Sequence, residues 1–403
     1  MNVVVGQSGG PTAVINASLA GVYEAAVRLG ADRIYGMKNG IEGFLQENLV
    51  ALKEVLDTPY KVELLKRTPS SYLGSCRYKL KTPEARPAEY KKVFEILQKY
   101  EIDYFFYIGG NDSMDTILQL SKYGKTLGCK TRFVGVPKTI DNDLMVTDHT
   151  PGYGSAAKFV ATSLKEIICD SSVYDMKSVT IVEIMGRNAG WLTAAAALAE
   201  GEDCVGADMI FLPELTFDLD GFIDKVQELQ KTKGNLIIVV SEGIKVADGR
   251  YVCELADAAQ ETDSFGHKRL TGTARFLADE CTKRLGVKAR AIEFSTLQRC
   301  ASHIASATDI NEAYQAGAAA VEAAAAGHTG VAITLVRTNN NPYQCTTGIG
   351  DIEQIANHEK TVPLAWIDQT GMGLREEFME YAKPLIEGEL LPYYENGLPK
   401  HLK

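Results

Sequence analysis

No two of the eight cysteines lie at CxxC spacing, which excludes a small structural zinc module and a thioredoxin-type redox motif. The bland expectation is a set of reduced, mostly buried thiols in a cytoplasmic protein. The six histidines show no metal-ligand spacing. The one stretch with GxSxG spacing, "GQSGG" from Gly6 to Gly10, reads as a glycine turn, so no serine-hydrolase triad is argued from it. A P-loop and a GxGxxG dinucleotide fingerprint are also missing, which disfavours a Walker-type NTPase and a nicotinamide oxidoreductase. There is no basic excess: the formal net charge is -10. That argues against nucleic acid or an anionic membrane as main partner, while leaving room for an anionic small substrate in a local basic pocket. No charged leader and long apolar segment open the chain, which starts "MNVVVGQSGG", so no signal peptide is expected. No apolar run is long enough to span a bilayer. A repeat of fixed period and a Pro/Ser linker are likewise missing.

What remains is an ordinary globular composition, 45% hydrophobic and 23% charged over 403 residues, enough for two lobes and a large core. Short apolar strands alternate with helices. "NVVVG", "DYFFYIGG", "RFVGVP", "SVTIVEI", "DMIFLPE", "NLIIVVSEG" and "TGVAITLVR" read as strands. "AVINASLAGVYEAAVRLG", "SMDTILQLSKYG", "SAAKFVATSLKEIICD", "AGWLTAAAALAEG", "FIDKVQELQKTKG" and "AYQAGAAAVEAAAAG" read as helices. Buried strands between crossover helices predict α/β architecture with a mainly parallel sheet.

Three glycine turns follow predicted strands: "GQSGGPTAV" from Gly6, "GGNDS" from Gly109, and "MGRNAG" from Met185. Such turns at the carboxyl ends of parallel strands offer backbone N–H groups to anions. Any one of them could be a plain strand-to-helix connection; three together point to a ligand with phosphates. "VPKTIDNDL" places Asp141 and Asp143 two apart after a strand, beside Lys138 and Thr139. Residues two apart project to one side of an extended segment. One carboxylate could take a hydroxyl proton while the other orients it or holds Mg2+, and Lys138 could neutralise phosphate oxygens. Taken alone, the stretch reads first as an Asx-type turn. Arg77, Arg187, Arg290 and Arg299 suit phosphate geometry, although a surface ion pair is the common fate of arginine. Glu242, in "SEG" at a strand end, could bond sugar hydroxyls.

"SGG", "IGGNDS", "PKTIDND", "EIMGR", "SEG" and an arginine pair nine apart (290 and 299) come in this order from Val3 to about Val336. In order and context they resemble the phosphofructokinases, most closely the branch that takes pyrophosphate as donor. The resemblance implies two three-layer α/β lobes with the active site in the cleft between them. It implies a donor lobe of 1–152 plus about 298–355, and a sugar-phosphate lobe of about 153–297 plus 356–403. It implies reversible, Mg2+-dependent transfer from pyrophosphate to the 1-hydroxyl of fructose 6-phosphate; the alternative is an ATP-dependent 6-phosphofructokinase.

By position, Asp141 would be the general base, Asp143 its support, and Thr139 a contact to the moving phosphoryl group. Gly10, Gly110 and Arg77 would hold the donor, with Arg77 offsetting transition-state charge. Met185, Gly186, Arg187 and Glu242 would bind the sugar phosphate, and Arg299 the acceptor sugar. Arg290 would reach the 6-phosphate of a neighbouring subunit, so at least a homodimer is implied. ATP-dependent relatives read GGDGS, where the second glycine leaves room for a nucleotide α-phosphate; here Asp112 fills and repels that space. Lys138 stands where they tend to have glycine, and can bind the terminal phosphate of pyrophosphate. Asn111 replaces the usual aspartate that touches Mg2+, leaving Asn111 or Asp112 as the expected metal contact. Thr296 replaces a histidine three before Arg299, and Lys177 is adjacent to Ser178, where ATP-dependent relatives use an arginine.

Overall fold

The computed structural model describes residues 1–76, 78–173, 176–256 and 270–403. The chain divides into two compact units. The first comprises Met1–Ser155, Arg299–Glu359 and Leu385–Lys403; the second comprises Ala156–Gln298 and Lys360–Pro384.

In the first unit, strands β1 (Asn2–Gln7), β2 (Arg33–Met37), β3 (Leu49–Ala51), β4 (Ile102–Gly109), β5 (Arg132–Pro137), β10 (Val331–Asn340) and β11 (Tyr343–Asp351) form one sheet of order β11-β10-β5-β4-β1-β2-β3. The four central neighbours β10, β5, β4 and β1 run parallel, as does β2 beside β1. β3 and β11 are the antiparallel edges. Alternation along each strand sends side chains to two cores. Val3, Val5, Phe106, Ile108, Val134 and Val136 pack under helices Ile15–Arg28 and Ala307–Ala325. Val4, Phe105, Tyr107 and Phe133 pack on the other face under helices Pro87–Lys99 and Asn111–Thr126. A sheet buried on both faces needs continuous apolar strands, and β1, β4 and β5 have them.

In the second unit, β6 (Ser178–Ile184), β7 (Met209–Phe211), β8 (Asn235–Ser241) and β9 (Lys288–Glu293) form a fully parallel sheet of order β7-β8-β6-β9. Val179, Ile181, Ile238 and Val240 meet Phe222, Leu277 and Cys281 in its core.

Two sequence readings change. "AGWLTAAAALAEG" is not one helix: Trp191–Ala194 is α-helical and Ala195–Ala199 tightens to a 3-10 helix. Trp191 is wedged against Trp366 and Tyr381 at that point, so tertiary packing overrides alanine's helix propensity. The return to the second unit at 356 also differs, because residues 385–403 lie on the first. There the Arg67 Nε donates to the Leu391 carbonyl at 3.1 Å and the Leu402 N–H donates to Thr68 Oγ1 at 2.9 Å. Among the described residues, no helix is long and apolar enough to cross a membrane.

Candidate active site

Because β5, β4 and β1 are adjacent and parallel, the turns that leave their carboxyl ends meet at one sheet edge. Backbone bonds stitch them together: the Ser8 N–H donates to the Ile108 carbonyl at 2.9 Å, and the Lys138 N–H to the Gly109 carbonyl at 3.0 Å. Gly109 is required by space, since a Cβ there would lie 1.9 Å from Ser113 Oγ. Gly110 opens the helix Asn111–Thr126, whose N-terminal N–H groups form a positive end.

Lys138 is only 3% exposed, and its Nζ donates to the Gly10 carbonyl at 2.7 Å. Burial drives its pKa down to about 8, against the pull of the Asp141 and Asp143 carboxylates. Thr139 Oγ1 accepts from the Asp141 N–H at 3.1 Å and donates to Asp141 Oδ2 at 3.2 Å. The Asp141 carboxyl is thereby held in one orientation. Burial pushes its pKa above the ordinary value, and Glu359 adds to that; the Thr139 bond and the charges of Lys138 and Arg299 oppose it. The loop between Asp141 and Asp143 is pinned from below. Asn142 is buried in the left-handed region with φ 54. Its Oδ1 accepts from the Thr150 N–H at 3.0 Å, and Thr150 Oγ1 donates to the Thr139 carbonyl at 2.8 Å. Arg299 is placed by the end of the short helix Leu297–Cys300. Its Nη1 lies 3.3 Å from where a Gly10 Cβ would sit. The structure thus gathers Gly10, Gly110, Lys138, Thr139, Asp141 and Arg299 at one edge, with Arg299, expected beside the sugar, among the donor-side residues.

Asp112 sits in the first turn of its helix, half exposed, with Lys79 Nζ 3.1 Å from its Oδ1. Asn111 is engaged elsewhere: its Nδ2 donates to the His358 carbonyl at 2.6 Å and its Oδ1 accepts from the Asn357 N–H. Its carboxamide ties residues 357–358 to the helix, so Asp112 is the stronger oxygen donor of the pair. Asp112, Asp141, Asp143 and the Thr139 hydroxyl each offer oxygen, the donor type a hard cation takes. Arg77 lies outside the described residues.

In the second unit, the ends of neighbouring strands β6 and β8 carry Met185–Arg187 and Glu242. The Glu242 N–H donates to the Ile184 carbonyl at 2.9 Å, and the Gly186 N–H donates to Glu242 Oε1 at 3.3 Å. Ser241 Oγ donates to the Gly186 carbonyl. Gly186 has φ 150, and a Cβ there would lie 2.7 Å from the Ala189 carbonyl oxygen. The Met185 N–H donates to Gln298 Oε1 at 3.4 Å. Arg187 and Glu242 are half-buried. Arg290 stands apart on β9, about half exposed, with Asp170 Oδ2 at 3.9 Å from its Nη1. Beneath this turn, Glu183 is 5% exposed, and its Oε2 accepts from the Ala274 N–H at 2.8 Å at the start of helix Thr273–Leu285. Burial lifts its pKa to about 7.

Sequence reasoning missed Lys79, Glu359, Asn357, Gln298 and Glu183. Gln298 could have been found from its place before Arg299; the others lie too far along the chain, or in too plain a context, to signal.

The Phosphofructokinase family profile matches residues 2–324. The chain is 43% identical over 406 residues to a protein of Methylococcus capsulatus named pyrophosphate--fructose 6-phosphate 1-phosphotransferase, covering 100% of this chain and 95% of that one. A crystal structure of a pyrophosphate-dependent phosphofructokinase from Nitrosospira multiformis superposes with TM-score 0.89 at 40% identity, covering 99% and 95% of the two chains. One from Marinobacter aquaeolei gives TM-score 0.88 at 36% identity, covering 100% and 95%. Full-length likeness in sequence and fold places this chain in the phosphofructokinase family.

Proposed function

We propose that this chain is a diphosphate-dependent 6-phosphofructokinase. It transfers a phosphoryl group reversibly from pyrophosphate to the 1-hydroxyl of fructose 6-phosphate, giving fructose 1,6-bisphosphate and phosphate. The observation that carries the reading is the buried Lys138 ammonium bonded to Gly10, with Asp112 guarding the helix turn beside it. A cation at that depth offers charge to a short donor, while a carboxylate at the helix start opposes a longer nucleotide. The relatives named for pyrophosphate fit the same reading.

Asp141 takes the proton from the sugar hydroxyl as its oxygen attacks phosphorus, and phosphate leaves on the opposite side. The Thr139 bond holds the carboxylate in register, and burial raises its basicity. Asp143 supports it electrostatically. Lys138, Gly10, Gly110 and Arg77 hold the pyrophosphate. Mg2+, held by its phosphate oxygens and Asp112, would neutralise donor charge. Met185, Gly186, Arg187 and Glu242 bind the acceptor, Arg299 reaches it from its place beside Gly10, and Arg290 serves the 6-phosphate of a second copy in a homodimer or larger oligomer. The enzyme works in the cytoplasm, where its thiols stay reduced.

The test is a coupled assay for fructose 1,6-bisphosphate with pyrophosphate or ATP as sole donor. Turnover with pyrophosphate alone is expected. Turnover with ATP alone overturns the donor assignment and leaves the base in place.

A further inference from the structure

In the first unit, three side chains of different chemistry, none of them among the residues assigned to phosphoryl transfer, converge. Metal-ligating atoms of His149, Glu312 and Cys345 all lie within 4.8 Å of one another. They come from the segment after the catalytic loop, from helix Ala307–Ala325 and from β11. No sequence spacing could have disclosed them, since 163 residues separate the first pair. We propose that His149, Glu312 and Cys345 form a site for a thiophilic divalent cation of the zinc type, separate from the Mg2+ of phosphoryl transfer.

The surrounding bonds favour this set. His149 Nδ1 meets Asp148 Oδ1 at 2.7 Å, which turns Nε2 toward Glu312 Oε2 at 2.6 Å. A carboxylate behind the imidazole is the usual partner of a zinc-bound histidine. Asp148 is itself fixed by Arg337, whose Nη2 and Nε donate to its Oδ1 at 3.0 and 3.1 Å. The Tyr343 hydroxyl donates to Glu312 Oε1 at 2.6 Å, leaving Oε2 toward the histidine. Access exists as well. Glu312, Tyr343 and Cys345 line a cavity of about 510 Å³, and Gln344 and Thr346 in the same lining are exposed. A fourth, water ligand can enter from that side.

Charge also balances. The cation takes the place of the proton between His149 Nε2 and Glu312 Oε2 and of the Cys345 thiol proton, so two protons leave as one 2+ ion enters. The His149–Glu312 separation must open by roughly 1 Å to reach tetrahedral zinc spacing. One thiolate and one imidazole select zinc-type ions over Mg2+.

The experiment uses chelator-treated full-length protein with no substrate, so it does not depend on the activity assigned above. Co2+ is added as the optical probe and then displaced by Zn2+. One Co2+ per chain is expected, with a near-ultraviolet thiolate-to-cobalt absorption that Zn2+ abolishes. Cys345→Ser should lose that absorption and bind Zn2+ at least about tenfold more weakly, while keeping wild-type turnover with pyrophosphate. If that variant fails to fold, Tyr343→Phe decides: the absorption stays and affinity falls about tenfold. No thiolate absorption in the wild type, the same absorption in Cys345→Ser (which would put the metal on exposed Cys169 or Cys300), or unchanged affinity in Tyr343→Phe overturns the proposal.

Discussion

At the residue scale, the proposed chemistry rests on two groups of opposite charge, the half-buried Asp141 carboxylate and the buried Lys138 ammonium. Asp141 is aimed by one hydroxyl, and that hydroxyl also receives the Asp141 N–H. Replacing Asp141 by Asn keeps the shape and removes the base. The expected loss in kcat is about 10²–10⁴-fold, with KM for fructose 6-phosphate changed little. Near-normal turnover would exclude Asp141 as the base. Lys138 carries a second prediction. Its pKa in the free protein is lowered from 10.5 to about 8 by burial, and only the protonated form attracts pyrophosphate. Discharge as pH rises through about 8 should lower kcat/KM for pyrophosphate. Lys138→Met should raise KM for pyrophosphate and remove that alkaline limb; a limb that persists belongs to another group. Asp112→Gly removes the carboxylate that now pairs with Lys79 and should raise kcat/KM for ATP relative to pyrophosphate. An unchanged ratio would show that Asp112 does not discriminate donors.

At the scale of elements, helix starts are bonded to buried carboxylates. Asp309 accepts from the Gly152 and Ser155 N–H groups at 2.8 Å each, at the start of helix Tyr153–Ser171. Glu183 does the same for helix Thr273–Leu285. Each satisfies orphan donors and meets the positive helix end. Burial nevertheless lifts Glu183 from 4.5 to about 7. Between those values the folded state holds a proton that the unfolded chain has released. The contribution is therefore full below 4.5 and is lost as pH rises through about 7, with a ceiling of roughly 3 kcal/mol. Glu183→Gln should flatten the fall of Tm across that window, as read by calorimetry; parallel profiles would remove Glu183 as a source of the pH dependence.

The elements themselves were unequally legible. β1, β4, β5, β6 and β8 are apolar runs because both sheet faces are buried, and they could be read directly. β9, "KARAIE", is only partly buried, and β3 has three half-buried residues, so neither carries a buried-strand pattern. The site followed the same rule. Residues on strand-end turns were legible because glycine, aspartate and lysine stand out against apolar strands. Asn111 was read from its position alone; its tie to Asn357 and His358 spans more than two hundred residues and leaves no local mark.

At the scale of the whole molecule, Arg290 separates two ways of building an acceptor site. It lies half exposed on the outermost strand of the second sheet, with a weak contact to exposed Asp170. Such a contact contributes little to stability, so the residue is available for another role. If it reaches the 6-phosphate bound by a neighbouring copy, catalytic base and arginine come from different chains. Asp141→Asn and Arg290→Ala are then each poorly active as pure oligomers. In a twofold mixed dimer of the two, one site carries both lesions and the other carries neither. After random subunit exchange, half the dimers are mixed and half their sites are intact, so about one quarter of wild-type activity should return. Arg290 acting within its own chain predicts no recovery, because every site then keeps one lesion.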